Sequence, residues 1–147
     1  MLKLRKNKKG FTLVELIVVI AIMAVLAGTV AGVTVTQLNK NTDNANKTQA
    51  KKVADTIYAE LLENPNIVAD KADPATGDSM EEALAEAYGN AITWGEQGTS
   101  GGKIGVEHDN GTYKVTYVGK QSGTKGSVTY TVTAAGGVQT GAAISNS

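Results

Sequence analysis

A long apolar run near the start of the chain, residues 11–39, constrains the sequence more than any other feature. Glu15 is its only ionisable side chain. A helix rises about 1.5 Å per residue, so about 20 residues cross a hydrocarbon core of about 30 Å, and this run is long enough to span a membrane. A charged side chain near the centre of such a helix costs about 2.5 to 3.5 kcal/mol, so Glu15 requires a partner or a role.

Basic residues are concentrated before the apolar run. Five of the 14 lie within the first ten positions, which contain no acid. The positive-inside rule therefore predicts a cytoplasmic leader and an external remainder. Nine basic and 14 acidic residues follow, a formal charge of −5 that argues against direct nucleic-acid binding. Because the chain has no cysteine, an exported domain of this sequence must be stabilised by packing without disulfides.

Three interpretations of this layout compete. The first is a secretory signal peptide, with the small-residue stretch Val-Leu-Ala at residues 25–27 as its cleavage site. The second is a plain membrane anchor. The third is cleavage between Gly10 and Phe11, which retains the apolar run in the mature chain. Only the third gives a reason for the glycine at the junction and for Glu15.

The segment KKGFTLVELIVVIAIMAVLAG resembles the N-terminal signature of type IV pilin precursors and their pseudopilin relatives. The match runs position by position from Lys9 to Leu16 and continues in composition to about Val35. The resemblance implies that a prepilin peptidase cuts after Gly10 on the cytoplasmic side and that Phe11 becomes an N-methylated terminus. It also implies that Glu15 pairs with the N-terminal amine of a neighbouring subunit, in a helical filament built by inner-membrane assembly machinery.

The implied pairing of Glu15 is physically reasonable. A terminal ammonium and a carboxylate are both costly in an apolar filament core, and each is the natural counterpart of the other. Within one chain, Phe11 and Glu15 are separated by about 6 Å along the helix axis, so a subunit shifted along that axis approaches more directly. Glu15 is therefore expected to set register, as single buried polar residues do in coiled coils.

The remainder of the sequence predicts a small α+β head. An apolar stripe at helical spacing over residues 48–63 extends the apolar run into one long helix. Ser79 and Glu82 have the spacing of a capping box for a second helix. Alternating apolar residues predict three antiparallel strands at 103–108, 112–119 and 127–133, packed as a meander on the long helix in a pilin-like fold. The predicted divisions are a leader at 1–10, a membrane or filament-core helix at 11–38 and a head at 39–147.

No enzymatic chemistry or cofactor is predicted. His108, the only histidine, lies at a predicted hairpin end, where a structural or solvated role is the simpler interpretation. Asp70, Asp73 and Asp78 are weak candidates for calcium ligands, and a solvated acidic loop is the favoured alternative because their spacing fits no helix-loop-helix calcium motif.

The sequence therefore predicts a noncatalytic structural subunit of a type IV pilus. It would be a single-pass precursor in the cytoplasmic membrane, with its C-terminus outside, and part of an extracellular filament after assembly. Adhesion, twitching motility and DNA uptake are equally compatible with it. The nearest alternative is a pseudopilin of a type II secretion or competence system, and the other is an exported surface-binding module released by signal peptidase.

Overall fold

The computed structural model describes residues 10–69 and 79–146. The chain divides into two compact units, Met1–Gln37 and Leu38–Ser147. The elements within the described residues follow in chain order: α1 (Leu13–Glu63), α2 (Met80–Tyr88), a single 3-10 turn (Gly89–Ala91), β1 (Ile92–Trp94), β2 (Ile104–Asp109), β3 (Thr112–Tyr117), β4 (Val128–Thr133) and β5 (Gly137–Thr140).

The first unit contains the apolar part of α1. By length and composition this part is sufficient to cross a membrane, as predicted. Its threonines do not interrupt the helix, because the hydroxyls of Thr29, Thr34 and Thr36 donate to backbone carbonyls one turn earlier at 2.9, 2.8 and 3.2 Å. Threonine hydroxyls satisfied in this way place no unpaired donor on the apolar surface.

The second unit is built on a mixed sheet with the strand order β1-β2-β3-β4-β5. Strands β2 to β5 are antiparallel neighbours, and β1 pairs in parallel with β2. The predicted α+β class and the three central strands are confirmed, but the predicted strand count is wrong. The prediction omits β1 and β5 because segments of three and four residues are too short to show a convincing alternation.

The core of the second unit forms between the later part of α1 and one face of the sheet. Tyr113, Val115 and Tyr117 of β3 are buried there, as the alternation predicts. The stripe of α1 is confirmed except at Leu62, which is exposed. The buried stripe consists of Ala50, Val53, Ala54, Ile57 and Leu61. Burial of this stripe against the sheet holds the later part of α1 to the head.

Two local structures follow the sequence signals closely. The hairpin between β2 and β3 turns at Asn110 and Gly111, whose φ angles of 43° and 78° are the positive values that a type I′ turn requires. At the start of α2, the Ser79 hydroxyl accepts a hydrogen bond from the Glu82 N–H at 3.2 Å, which is the N-cap half of the predicted capping box.

A buried carboxylate, Asp43, joins the first turns of α1 in the second unit to the connection between β3 and β4. The Tyr117 hydroxyl and the Lys120 N–H each donate to Oδ1 at 2.9 Å. The Gln121 N–H and side-chain amide donate to Oδ2 at 3.2 and 3.0 Å. A Cβ on Gly126 would overlap the carboxylate, so glycine is required at that position. We refer to these five residues as the Asp43 cluster.

The Asp43 cluster shifts the pKa of its own carboxyl. Burial by itself raises the pKa of Asp43, because it disfavours the charged form. Hydrogen bonds from Lys120, Gln121 and Tyr117 outweigh that effect and hold the pKa below its ordinary value. The carboxylate is therefore ionised and fully engaged at neutral pH, and it fastens the β3–β4 connection without a disulfide.

Candidate processing and assembly site

The residues that directly precede α1 are exposed. Helix α1 begins at Leu13, so Gly10, Phe11 and Thr12 precede its first turn. The Phe11 side chain is 93% exposed. Among the residues that the structure describes, a Cβ on Gly10 would meet no atom within 4 Å, so packing against them does not require glycine there.

Glu15 and Thr12 cap the start of α1 reciprocally. The Thr12 N–H donates to Glu15 Oε2 at 2.9 Å, and the Glu15 N–H donates to Thr12 Oγ1 at 3.3 Å. Thr12 is thus the N-cap and Glu15 the third helical residue, which is the arrangement of a capping box. The sequence Thr12-Leu13-Val14-Glu15 contains this capping signal, which the charge-based prediction for Glu15 does not include.

This cap changes the electrostatic description of Glu15. The first N–H groups of a helix have no intrahelical acceptor, and the helix dipole places partial positive charge at the same end. A carboxylate at the third position is therefore stabilised by its own helix. Glu15 already has a local partner in the single chain, and a neighbouring amine would have to compete with that partner or share the carboxylate with it.

The surroundings of Glu15 are apolar. A shallow concavity of about 590 Å³ is lined by Phe11, Val14, Glu15, Leu16, Val18 and Val19. This lining therefore carries a single charged group among five apolar side chains. The arrangement offers charge pairing and apolar packing, and its lining contains no nucleophile paired with a base.

The candidate residue His108 belongs to the second unit. His108 lies at the exposed end of β2, where its Nε2 accepts the Gly111 N–H at 3.3 Å and its ring lies 4.7 Å from the Tyr113 ring. Among residues 10–69 and 79–146, no group of three or more histidine or acidic side chains could hold a metal ion. The weak calcium candidates Asp70, Asp73 and Asp78 lie outside the described residues.

Removal of the Thr12 hydroxyl should loosen the first turn of α1. Thr12→Ala is expected to destabilise this turn by about 0.5 kcal/mol, the low end for a lost N-cap, because the Thr12 N–H can still reach Glu15. Hydrogen exchange of the full-length chain in detergent micelles should show roughly twofold faster exchange at the Glu15 amide. Thr29→Ala is the matched control, since the Thr29 hydroxyl donates to a carbonyl within the helix. Equal exchange at Glu15 in both variants would contradict the capping role.

Comparison with known proteins identifies the front of the chain. Residues 5–31 match the family described as the prokaryotic N-terminal methylation motif. The matched span contains Gly10, Phe11, Thr12 and Glu15, and it ends within the apolar part of α1. No curated protein and no solved structure matches the chain.

Proposed function

Because residues 5–31 carry the N-terminal signature of type IV prepilins, we propose that the chain is the precursor of a structural type IV pilus subunit. A prepilin peptidase removes residues 1–10, and the mature chain begins with methylated Phe11. The apolar part of α1 anchors the subunit in the cytoplasmic membrane before assembly. Copies then polymerise with their apolar helices bundled and their heads outward, in an extracellular filament.

The observation that carries this proposal is the exposure of the apolar part of α1. Helix α1 lies wholly within the described residues, and no residue of it before Asp43 is buried, although the segment consists mainly of large aliphatic side chains. An exposed apolar surface of this length requires a cover, which is lipid in a membrane or the same helix of other copies in a filament. If the apolar helix is retained after cleavage, lipid covers it in the membrane and the helices of other copies cover it in the filament.

In this proposal, the apolar surface of α1 holds neighbouring subunits together, and Glu15 fixes the axial offset between them. Apolar helices can slide along one another with little change in buried area, because the hydrophobic effect is not directional. A carboxylate that must meet one terminal ammonium selects a single axial offset. The capping box keeps the Glu15 carboxylate at the start of α1 until a neighbouring amine arrives.

Cleavage between Gly10 and Phe11 is the direct test of the proposal. Mass spectrometry of the mature chain should find methylated Phe11 as the first residue. Gly10→Val should block processing, and Gly28→Val is the matched control because a side chain at either glycine meets no atom within 4 Å. A mature chain starting at Gly28 would instead indicate a signal peptide and an exported binding module.

Imaging separates the pilus subunit from a pseudopilin, which would share the same front segment. Long surface filaments containing this chain are expected in electron micrographs of cells that express it with its own assembly machinery. Correct cleavage without long filaments, together with a defect in secretion or DNA uptake when the chain is deleted, would favour the pseudopilin.

A further inference from the structure

Charge is distributed unevenly over the chain after the apolar run. Residues 38–54 and 118–127 together contain six lysines and one acid, whereas residues 55–117 and 128–147 contain three lysines and 12 acids. The one acid of the basic part is Asp43, whose carboxylate is buried and bonded within the Asp43 cluster. The exposed charge of the basic part is therefore almost entirely positive.

Contacts within the second unit bring the two basic segments together. The Asp43 carboxylate accepts the Lys120 N–H at 2.9 Å, and the Lys47 Nζ donates to the Lys125 carbonyl at 2.6 Å. Lys40, Asp43 and Lys47 are spaced to share one face of α1, at intervals of three and four residues. We call Lys40, Lys47, Lys120 and Lys125 the basic collar.

Two lysines of the basic collar, Lys40 and Lys47, lie on α1 just after its apolar run ends. Lys40 follows Leu38 by about 3 Å along the helix, and Lys47, the more distant of the two helical members, follows it by about 14 Å. Lys40, Lys120 and Lys125 are exposed, and Lys47 is half-buried. Lys40 lies within the Debye length of about 8 Å at physiological ionic strength, whereas Lys47 lies beyond it and is largely screened there. A flexible lysine side chain can reach back toward the apolar run, and low salt lengthens the range of its charge.

We propose that the basic collar binds anionic lipid headgroups while the subunit is held in the membrane. This inference rests on the proposed membrane-inserted stage. Lysines next to a membrane-spanning helix are attracted to anionic lipid, and the 12 acids of the remaining head are repelled by it. Both effects orient the head with its basic collar on the lipid. Parallel copies side by side in a membrane would instead place like charges together, which disfavours a second copy as the occupant at this stage.

Lysine labelling in nanodiscs tests the proposal. The full-length chain would be placed in discs of phosphatidylcholine alone or mixed with phosphatidylglycerol, and treated with an amine-acylating reagent. In the anionic discs at low salt, each collar lysine should react about fivefold more slowly, the factor expected for one lysine near an anionic surface. High salt should remove most of this protection. Lys103 and Lys114, outside the collar, should react equally in both discs.

A pair of double variants provides the matched control. Lys120→Gln with Lys125→Gln should weaken the protection of Lys40 and Lys47, whereas Lys103→Gln with Lys114→Gln should leave it intact. Equal labelling of the collar in both lipids would overturn the proposal. Protection that depends on the number of copies per disc, and not on lipid charge, would also overturn it and identify a second copy as the partner. Failure of the chain to enter the discs would instead count against the proposed membrane-inserted stage.

Discussion

Glu15→Ala is expected to abolish filament formation while membrane insertion and cleavage after Gly10 continue. The substitution removes a charge from the membrane segment, so insertion becomes easier. In the filament it leaves the terminal ammonium of a neighbour buried without a counterion, at a cost on the order of 3 to 5 kcal/mol per subunit. Immunoblots of membrane fractions should show processed subunit, and electron microscopy should show no filaments.

Glu15→Gln separates the capping role of this residue from its proposed pairing role. Glutamine preserves the capping box, because its amide oxygen can accept the Thr12 N–H, but it carries no charge. If charge pairing drives assembly, Glu15→Gln should fail as Glu15→Ala does. Normal filaments from Glu15→Gln would show that the cap, and not the charge, is what assembly requires. Glu63→Ala, at the exposed end of the same helix, is the control and should assemble normally.

Asp43→Ala is expected to destabilise the head by at least about 1 to 3 kcal/mol, the cost of leaving one buried hydrogen-bond donor without its acceptor. The substitution leaves donors of Tyr117, Lys120 and Gln121 without their acceptor. Chemical denaturation of the full-length chain in detergent, followed by the fluorescence of Trp94, would measure the loss. Asp55→Ala is the control, because Asp55 is exposed and pairs with Lys51 at the surface. Similar losses in the two variants would contradict the account.

The same carboxylate predicts an acid-sensitive component of stability. The folded pKa of Asp43 lies below its unfolded value of about 3.9, so the carboxylate contributes its full stabilisation above that value. This contribution should decline as the pH falls below about 4 and disappear below the folded pKa. Denaturation curves between neutral and strongly acidic pH should therefore converge for the native chain and Asp43→Ala. A constant difference across that range would contradict the assignment.

The local features of this chain could be predicted because their causes are local. The long helix follows from an apolar run joined to an amphipathic stripe, and the hairpin follows from Asn110-Gly111, where positive φ angles are required. The signature around Gly10, Phe11 and Glu15 can likewise be recognised from adjacent residues. The match over residues 5–31 confirms the resemblance to the N-terminal signature of type IV prepilins. The cap formed by Thr12 and Glu15 also has a local sequence signal, the capping-box pattern over residues 12–15.

Features whose causes lie far apart in the chain become visible only in the folded structure. Strands β1 and β5 form by hydrogen bonding to the free backbone groups of β2 and β4. Each is too short for an alternation of apolar and polar residues to predict it. Asp43 appears in sequence as one polar residue in an asparagine-rich stretch, yet its partners lie 74 to 78 positions away. The basic collar has the same origin. The long apolar helix and the methylation motif at its start can be recognised from neighbouring residues. Folding was needed to bring Lys125 to Lys47 and Lys120 to Asp43.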